Sequence, residues 1–267
     1  MARPLLDDGL WQRIAPLLPP HKVSARGGRP WADDRRALEG ILFVLKTGIG
    51  WEHLPAQFGC CGMTCWRRLR DWNAAGVWQK LHQVLLDELR GADLLDWSRA
   101  VVDSSSVRAL KGGSQIGPNA VDRGRNGSKH HVLTDARGTP LAVSLTGANR
   151  HDITQLMPLV CAIPAVGGKA GAPRRRPTIV QADRAYSSDR YRAELRAMGI
   201  KPLLSRRHDV HGSGLGVHRW VVERTISWLH QAKRLRVRWE VRDDMHEAFL
   251  KLRCALICWS TLKRGLS

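Results

Sequence analysis

Apolar positions recur at helical spacing through the first third of the chain and at strand spacing through the middle. Over residues 7–17, Leu10, Trp11, Ile14 and Leu17 line one face behind an aspartate, Asp7 or Asp8, that can cap the first turn. Pro19-Pro20 stops this helix. Residues 33–47 repeat the pattern with Leu38, Ile41, Leu42, Val44 and Leu45, and run into Gly48 and Gly50. A short helix is expected at 51–57, a third full helix at 63–73 beginning near Thr64, and a fourth at 77–90. The intervening stretch 21–30, basic and glycine-rich, reads as a linker or extended arm.

The period then changes. Residues 100–107, 128–135 and 139–146 read as strands, the last two joined by a tight turn whose Gly138 can take the left-handed conformation a hairpin needs. A helix is expected at 152–163 from an Asp152 cap, then a Gly/Pro/Arg loop at 166–177 and a short strand at 178–182 ending on Asp183. Helix 187–197, strand 200–204, a glycine-rich mobile loop at 205–218 and helices at 220–237 and 243–262 complete the chain. This order predicts a small all-α, helix-turn-helix-like domain over 1–95 and a mixed α/β domain over 96–267. A hairpin followed by parallel crossovers is compatible with a ribonuclease-H-like sheet, although periodicity alone does not select it from other mixed-sheet folds.

Charge sharpens this division. The chain of 267 residues carries 43 Lys/Arg against 24 Asp/Glu, a formal +19. Residues 1–98 hold 13 basic and 11 acidic side chains, so residues 99–267 hold 30 and 13. An excess running through folded-looking segments favours a polyanionic partner, nucleic acid before any other. No apolar run reaches the ~18 residues of a membrane span, and no signal-peptide core is evident. Six cysteines in a chain of this length need no disulfide framework, and the expected setting is the reducing cytoplasm. Cys60, Cys61 and Cys65 suggest zinc only weakly, since no second Cys pair answers them, and Cys254 and Cys258 fit a helix core. No Gly-Lys-Ser/Thr follows either glycine cluster, which excludes a P-loop.

In so basic a region the placement of acids is informative. Asp103 sits inside an apolar strand before Ser104, Ser105 and Ser106; Asp183 stands where TIVQA ends; Glu223 lies early in an amphipathic helix between Arg219 and Arg224. Each has a plain alternative: Asp103 could cap a turn, Asp183 could cap the following helix, and Glu223 could pair with Arg219 at i,i+4. Together they suit a site that holds hard cations. Two Mg²⁺ ions about 3.5–4 Å apart neutralise both the attacked phosphate and the leaving oxygen in phosphodiester cleavage. A serine nucleophile within 104–106 lacks any surrounding triad.

Candidate DNA contacts are Arg67, Arg68 and Arg70 on the third helix, Lys129 on the strand, and Arg219, Lys233, Arg234, Arg236 and Arg238 in the late basic segment. Strand alternation sets Lys129 and His131 on one face and His130 on the other. His131 could approach the acids, whereas a metal site from His130 and His131 together is disfavoured. Trp220, Trp228 and Trp239 are expected to serve mainly in packing.

The blocks DDGLWQRIAPLLPP (7–20), VVDSSSVRA (101–109), ADRAYSS (182–188) and HRWVVERTISWLHQAKRLRVRWE (218–240) resemble the DDE-type transposases of bacterial insertion sequences. So do GGRPWADDRRALEGILFVLKTGIGWEHLPAQFG (27–59), WRRLRDWNAAGVWQKL (66–81) and DRGRNGSKHHVLTDARGTPLAVSLTGANRHD (122–152), so that the likeness spans almost the whole chain. The resemblance implies a ribonuclease-H-like catalytic domain in which Asp103, Asp183 and Glu223 are the catalytic, metal-holding acids. It implies Mg²⁺ as cofactor, two ions with Mn²⁺ able to substitute. The implied substrates are double-stranded element ends and target DNA, bound by a homodimer or larger assembly. Around the glutamate, Arg219 matches the arginine of the family pattern. Gly216 stands at its tyrosine position, and His230, an accessory candidate, at its lysine position. A related metal-dependent nuclease, and a transposase-derived DNA-binding protein without activity, are the alternatives.

Overall fold

The computed structural model describes residues 4–21, 30–205 and 216–266, with 216–218 as backbone only. The arm expected at 21–30 and the loop expected at 205–218 fall largely outside the described residues. Four helices come first: α1 (Asp8–Ile14), α2 (Asp34–Thr47), α3 (Gly62–Ala74) and α4 (Val77–Gly91). Asp7 caps α1, its carboxylate accepting from the Leu10 N–H at 2.9 Å, and Asp33 does the same for α2. Gly48 ends α2 at φ 76°, a conformation that favours glycine. The short helix expected at 51–57 is two 3₁₀ turns, Trp51–His53 and Ala56–Phe58.

The rest contains β1 (Ala100–Ala109), β2 (Gly117–Asn119), β3 (Arg125–Asp135), β4 (Pro140–Gly147), α5 (Leu156–Cys161), β5 (Ile179–Ala182), α6 (Asp189–Ala197), β6 (Lys201–Leu204), α7 (Gly216–His230), β7 (Val237–Arg238) and α8 (Asp243–Gly265). β1 lies centrally. It pairs antiparallel with β3, which pairs with β4, and parallel with β5, which pairs parallel with β6. The resulting path β4-β3-β1-β5-β6, a hairpin beside β1 and two crossover strands beyond it, is a ribonuclease-H-like mixed sheet. Gly138, at φ 86°, makes the β3–β4 turn as its position predicts.

α8 joins the two parts of the chain. It packs against α3 and α4 on one side and β4 on the other. Phe249 of α8 stacks on Trp51 at 5.7 Å, and the buried apolar residues from Leu6 to Leu262 form one continuous core.

Two expectations are corrected, and one strand has no counterpart in the sequence reading. The helix expected over 220–237 stops at His230; a 3₁₀ turn, Lys233–Leu235, and β7 follow, with β7 paired to the end of β1. No breaker residue ends the helix. Instead Arg238 is drawn fully inside and donates to the carbonyls of Gln115, Glu240 and Val241 and to Ser128 Oγ, and these tertiary bonds override helix propensity. The helix expected from an Asp152 cap is a 3₁₀ turn, Asp152–Gln155, leading into the short α5, and the cap position is His151. β2, three residues of Gly-Pro-Asn, carries no strand signal at all.

Candidate active site

β1 and β5 are paired only at Ala100–Val180 and Val101–Gln181. Beyond that point the two parallel strands are no longer paired, and the acids gather past the paired positions. Asp103 projects from β1 into this region. Its Oδ1 accepts from the Ser104 N–H at 2.8 Å, which fixes the carboxylate against its own strand. Asp183 follows β5 directly and caps the 3₁₀ turn Arg184–Tyr186, accepting from the Ala185 N–H at 2.9 Å. The cap of the next helix, α6, is Ser188. Glu223 lies two turns into α7, largely exposed.

One guanidinium gathers the three acids. Arg219 Nη2 lies 3.1 Å from Asp103 Oδ2, 3.7 Å from Asp183 Oδ2 and 3.8 Å from Glu223 Oε1. The contact to Asp103 is a hydrogen bond and the other two are ion pairs. The pairing with Glu223 at i,i+4 is therefore one arm of a four-residue cluster. Burial pushes the Asp183 carboxyl up, against the opposing effect of Arg219, and the negative charges of Asp103 and Asp152 add to the rise. Burial works to lower Arg219, but the charges of Asp103, Asp183 and Glu223 outweigh it and hold the guanidinium above its ordinary value.

A fourth acid stands beside this cluster. Asp152 Oδ1 accepts from Ser104 Oγ at 2.9 Å and from Lys129 Nζ at 2.9 Å. Lys129, expected to grip DNA, also donates to the Arg150 carbonyl at 2.8 Å and is engaged within the fold. His131 shares the Lys129 face as alternation predicts: its Nε2 bonds Thr146 Oγ1 at 2.8 Å, and its Nδ1 lies 3.9 Å from Asp152. Burial lowers it to about 4, so it is neutral at pH 7. Tyr186 is buried beside these groups, and burial followed by the charges of Asp152, Asp103 and Asp183 raises its phenol. Sequence reading missed both Asp152 and Tyr186. Asp152 resembled a helix cap, and Tyr186 stands three residues after Asp183 with no periodicity to mark it.

On the opposite face of β3, His130 Nε2 lies 2.8 Å from His246 Nε2. His230, two turns beyond Glu223 on α7, reaches Ser105 Oγ at 3.4 Å and tilts against His130. Burial lowers both, His130 well below the usual histidine range.

The remaining basic candidates separate by burial. Arg67, Lys233 and Arg236 are exposed; Arg70 is half-buried over Trp66 and paired with Asp71. Arg68 is buried instead of facing solvent, 3.1 Å from Asp34 and stacked on Trp31. Arg234 and Arg238 are likewise interior. Arg234 pairs with Glu240 at 2.7 Å and donates to the Gly48 and Ile49 carbonyls, so neither can grip a backbone phosphate. The tryptophans depart from packing in the other direction: Trp220 is 52 % and Trp239 40 % exposed. Arg224 lies between Trp220 and Trp228, 4.5 and 4.6 Å from their ring centres.

The acids supply hard oxygen donors that converge on one cationic nitrogen, which suits a divalent cation in chemistry. With Arg219 among them they are arranged as a salt-bridge cluster; among the described residues no three His, Cys, Asp or Glu side chains are gathered into a metal-ligand set. The same statement covers Cys60, Cys61 and Cys65, of which Cys60 and Cys65 lie 3.5 Å apart. Cys254 and Cys258 are core thiols. No described helix is long and apolar enough to cross a membrane.

Residues 6–82 match the family model "Putative transposase of IS4/5 family", and residues 97–258 match the model "Transposase DDE domain". A Burkholderia cepacia protein named "Putative transposase for insertion sequence element IS402" is 59% identical over 154 residues, 58% of this chain and 73% of that protein. A second protein of the same organism, "Insertion element IS402 uncharacterized 16.2 kDa protein", is 58% identical over 120 residues, 44% of this chain and 82% of its own length. Among solved structures, the Mos1 transposase paired-end complex with left transposon end aligns over 80% of this chain and 79% of that one. Its identity is 12% and its TM-score 0.26, too low to carry an argument.

Proposed function

Because the chain belongs to the transposases that carry a DDE domain, we propose that Asp103, Asp183 and Glu223 are its catalytic acids. In this reading they hold divalent cations, two Mg²⁺ with Mn²⁺ able to substitute. The observation that carries the reading is the convergence of three carboxylates, from a strand, a turn and a helix far apart in sequence, on one nitrogen of Arg219. Such a concentration of acid in a strongly basic protein is costly unless a cation compensates it. When bound, the cations supply charge neutralisation at the attacked phosphate and the leaving oxygen.

The chain's own residues then do the following. The Ser104 N–H holds the Asp103 carboxylate in place, and the turn after β5 positions Asp183. Arg219, once the cations take its place among the acids, offers its guanidinium to a phosphate oxygen. The exposed Arg67, Lys233 and Arg236 are assigned to the DNA backbone, and Arg70 to its neighbourhood. The helices of residues 1–95 serve in recognition of the element ends, and residues 96–267 carry the chemistry. Water displaces the 3′-oxygen at the element end, and the freed 3′-hydroxyl attacks a target phosphate in turn. Both are in-line displacements at phosphorus, so one site serves both, and no covalent protein–DNA bond is required. Synapsis of two ends calls for at least two copies of the chain on the DNA.

The test is an assay of paired element ends with target DNA and Mg²⁺. Cleaved ends joined to target support the proposal. Cleavage without joining would assign a nuclease, and binding without any nick a DNA-binding protein.

A further inference from the structure

One side of α7 carries a second concentration of charge, of the opposite sign. Trp220, Arg224 and Trp228 stand four residues apart and form one row, next to the row of Arg219 and Glu223. Arg224 lies over both rings, and Arg264, from the last turn of α8, lies 5.4 Å from the ring centre of Trp228. Past Trp228 this face opens into a cavity of about 490 Å³ between the end of α7 and α8. Its charged lining residues are Arg253, Lys263 and Arg264, with no carboxylate among the described residues.

Three arginines of this face are anchored in the same way. Arg224 Nη2 donates to the Arg137 carbonyl at 2.5 Å, Arg253 Nε and Nη2 to the Trp228 carbonyl at 3.0 and 2.6 Å, and Arg264 Nε to the Ser260 carbonyl at 3.2 Å. None of the three forms an ion pair among the described residues, whereas Arg219 and Arg234 each meet carboxylates. A carbonyl needs a donor and not a full charge, so these bonds hold the guanidiniums in place and leave their charge unanswered. The dipole of α8 favours Arg264 at its C-terminal end, which accounts for one of the three. The acids nearby are few: the buried Asp135 acts on Arg224 through its field, and Asp7 pairs with Lys263 at 2.6 Å. Burial lowers Arg224 and Arg253, and the charge of Arg264 lowers Arg224 further. Arg224 Nε is buried without a partner. Contact with the indole rings restrains these side chains, so that little freedom is lost when they meet an anion.

We propose that this face of α7 and α8 is a second tract for duplex DNA, on which Arg224, Arg253 and Arg264 hold phosphates of the duplex that runs on from the cut. The inference rests on the reading of the Arg219 cluster as the place of cutting. Arg224 follows Glu223 directly in α7, so DNA at the acids already lies beside this row. The extent of the face suits a polyanion. Trp220 to Trp228 alone cover about 12 Å of helix at 1.5 Å per residue, longer than one phosphate group, and a duplex carries a charge every ~1.7 Å of its axis. Contacts to phosphates carry no base sequence, so the tract holds any duplex equally.

The experiment is equilibrium binding of the intact chain to a labelled duplex, read by fluorescence anisotropy over a range of salt, without divalent cation so that nothing is cut. Parent, Arg264→Gln, Arg264→Lys and the double variant Arg224→Gln/Arg264→Gln are compared, and thermal melting shows which are folded. The slope of log affinity against log salt should be shallower by about 0.9 in Arg264→Gln and by about twice that in the double variant. Arg264→Lys should keep the parent's slope, and an element end and a duplex of unrelated sequence should lose equally. Should the double variant fail to fold, the exposed Arg264 carries the test alone. A parent that binds DNA, beside an Arg264→Gln with the same affinity and slope, would overturn the tract and leave the reading of the acids standing. Unchanged slopes together with weakened binding of inorganic phosphate in Arg264→Gln would assign the face to a small anion and overturn it too. A parent that binds no DNA would remove the underlying reading as well.

Discussion

Two charged clusters flank the central strands, and they are built on opposite terms. One runs from Arg234 through Glu240 and His246 to His130. Arg234 binds Glu240 at 2.7 Å, Glu240 lies 3.4 Å from His246, and His246 is 2.8 Å from His130. Every member is buried, and only His130 Nδ1 lacks a partner among the described residues. Burial works to raise Glu240, but His246 and Arg234 outweigh it and hold the carboxyl below its ordinary value. The other is the acid cluster around Arg219. Among the described residues it sets four carboxylates beside Arg219 and Lys129, one acid largely exposed, with unpaired polar atoms on His131 and Arg219. The first is matched within the fold and ties α2 to the α7–α8 connection through the Gly48 and Ile49 carbonyls. The second gathers more acid than base among the described residues. Buried charge that is fully paired serves architecture, and charge left over is available for a ligand.

The contrast can be broken at its closed end first. Arg234→Met leaves Glu240 with only His246 and should cost about 3–5 kcal/mol of stability, read by urea unfolding, while DNA cleavage per folded molecule persists. A cost below about 1 kcal/mol would show that the network is not structural. Acid should reach the buried histidines next. The folded pKa of His131 is about 4 against 6.5 for the free side chain, so the unfolded chain binds the extra proton between those values. Stability is therefore lost as pH falls from 6.5 to 4, by about 1.4 kcal/mol per pH unit for this histidine. Equal stability at pH 7 and pH 5 would contradict that. The smallest effect is expected in the acid cluster: Asp183→Asn removes a carboxylate whose pKa burial has raised, so the melting temperature should be no lower than the parent's. A marked drop would place Asp183 among the structural residues.

Much of this was legible in the chain. The helix spacings, the Gly138 hairpin and the position of Asp183 at a strand end all follow from local rules, and the expected strands at 100–107, 128–135 and 200–204 lie within or close to β1, β3 and β6. What stayed hidden depends on partners distant in sequence. Arg234 and Arg238 look like surface arginines until Glu240 and a set of unclaimed carbonyls draw them inside. Asp152 looks like a cap until β1 brings Ser104, and β3 brings Lys129, up against it. Trp220 looks like packing until α7 turns it to solvent over Arg224. Helical and strand periods report which face of an element is apolar; they carry no information on which polar groups meet across the fold.

The central claim, that the acid cluster around Arg219 is where DNA is cut, is tested most directly by nicking of element-end DNA in Mg²⁺. The parent is run beside Asp103→Asn, Asp183→Asn and Glu223→Gln, each shown to be folded and to bind the same DNA. Loss of a group that holds charge at the reacting phosphate is worth several kcal/mol, so each variant should cut on the order of a thousandfold more slowly. Cutting by all three at the parent's rate would contradict the account.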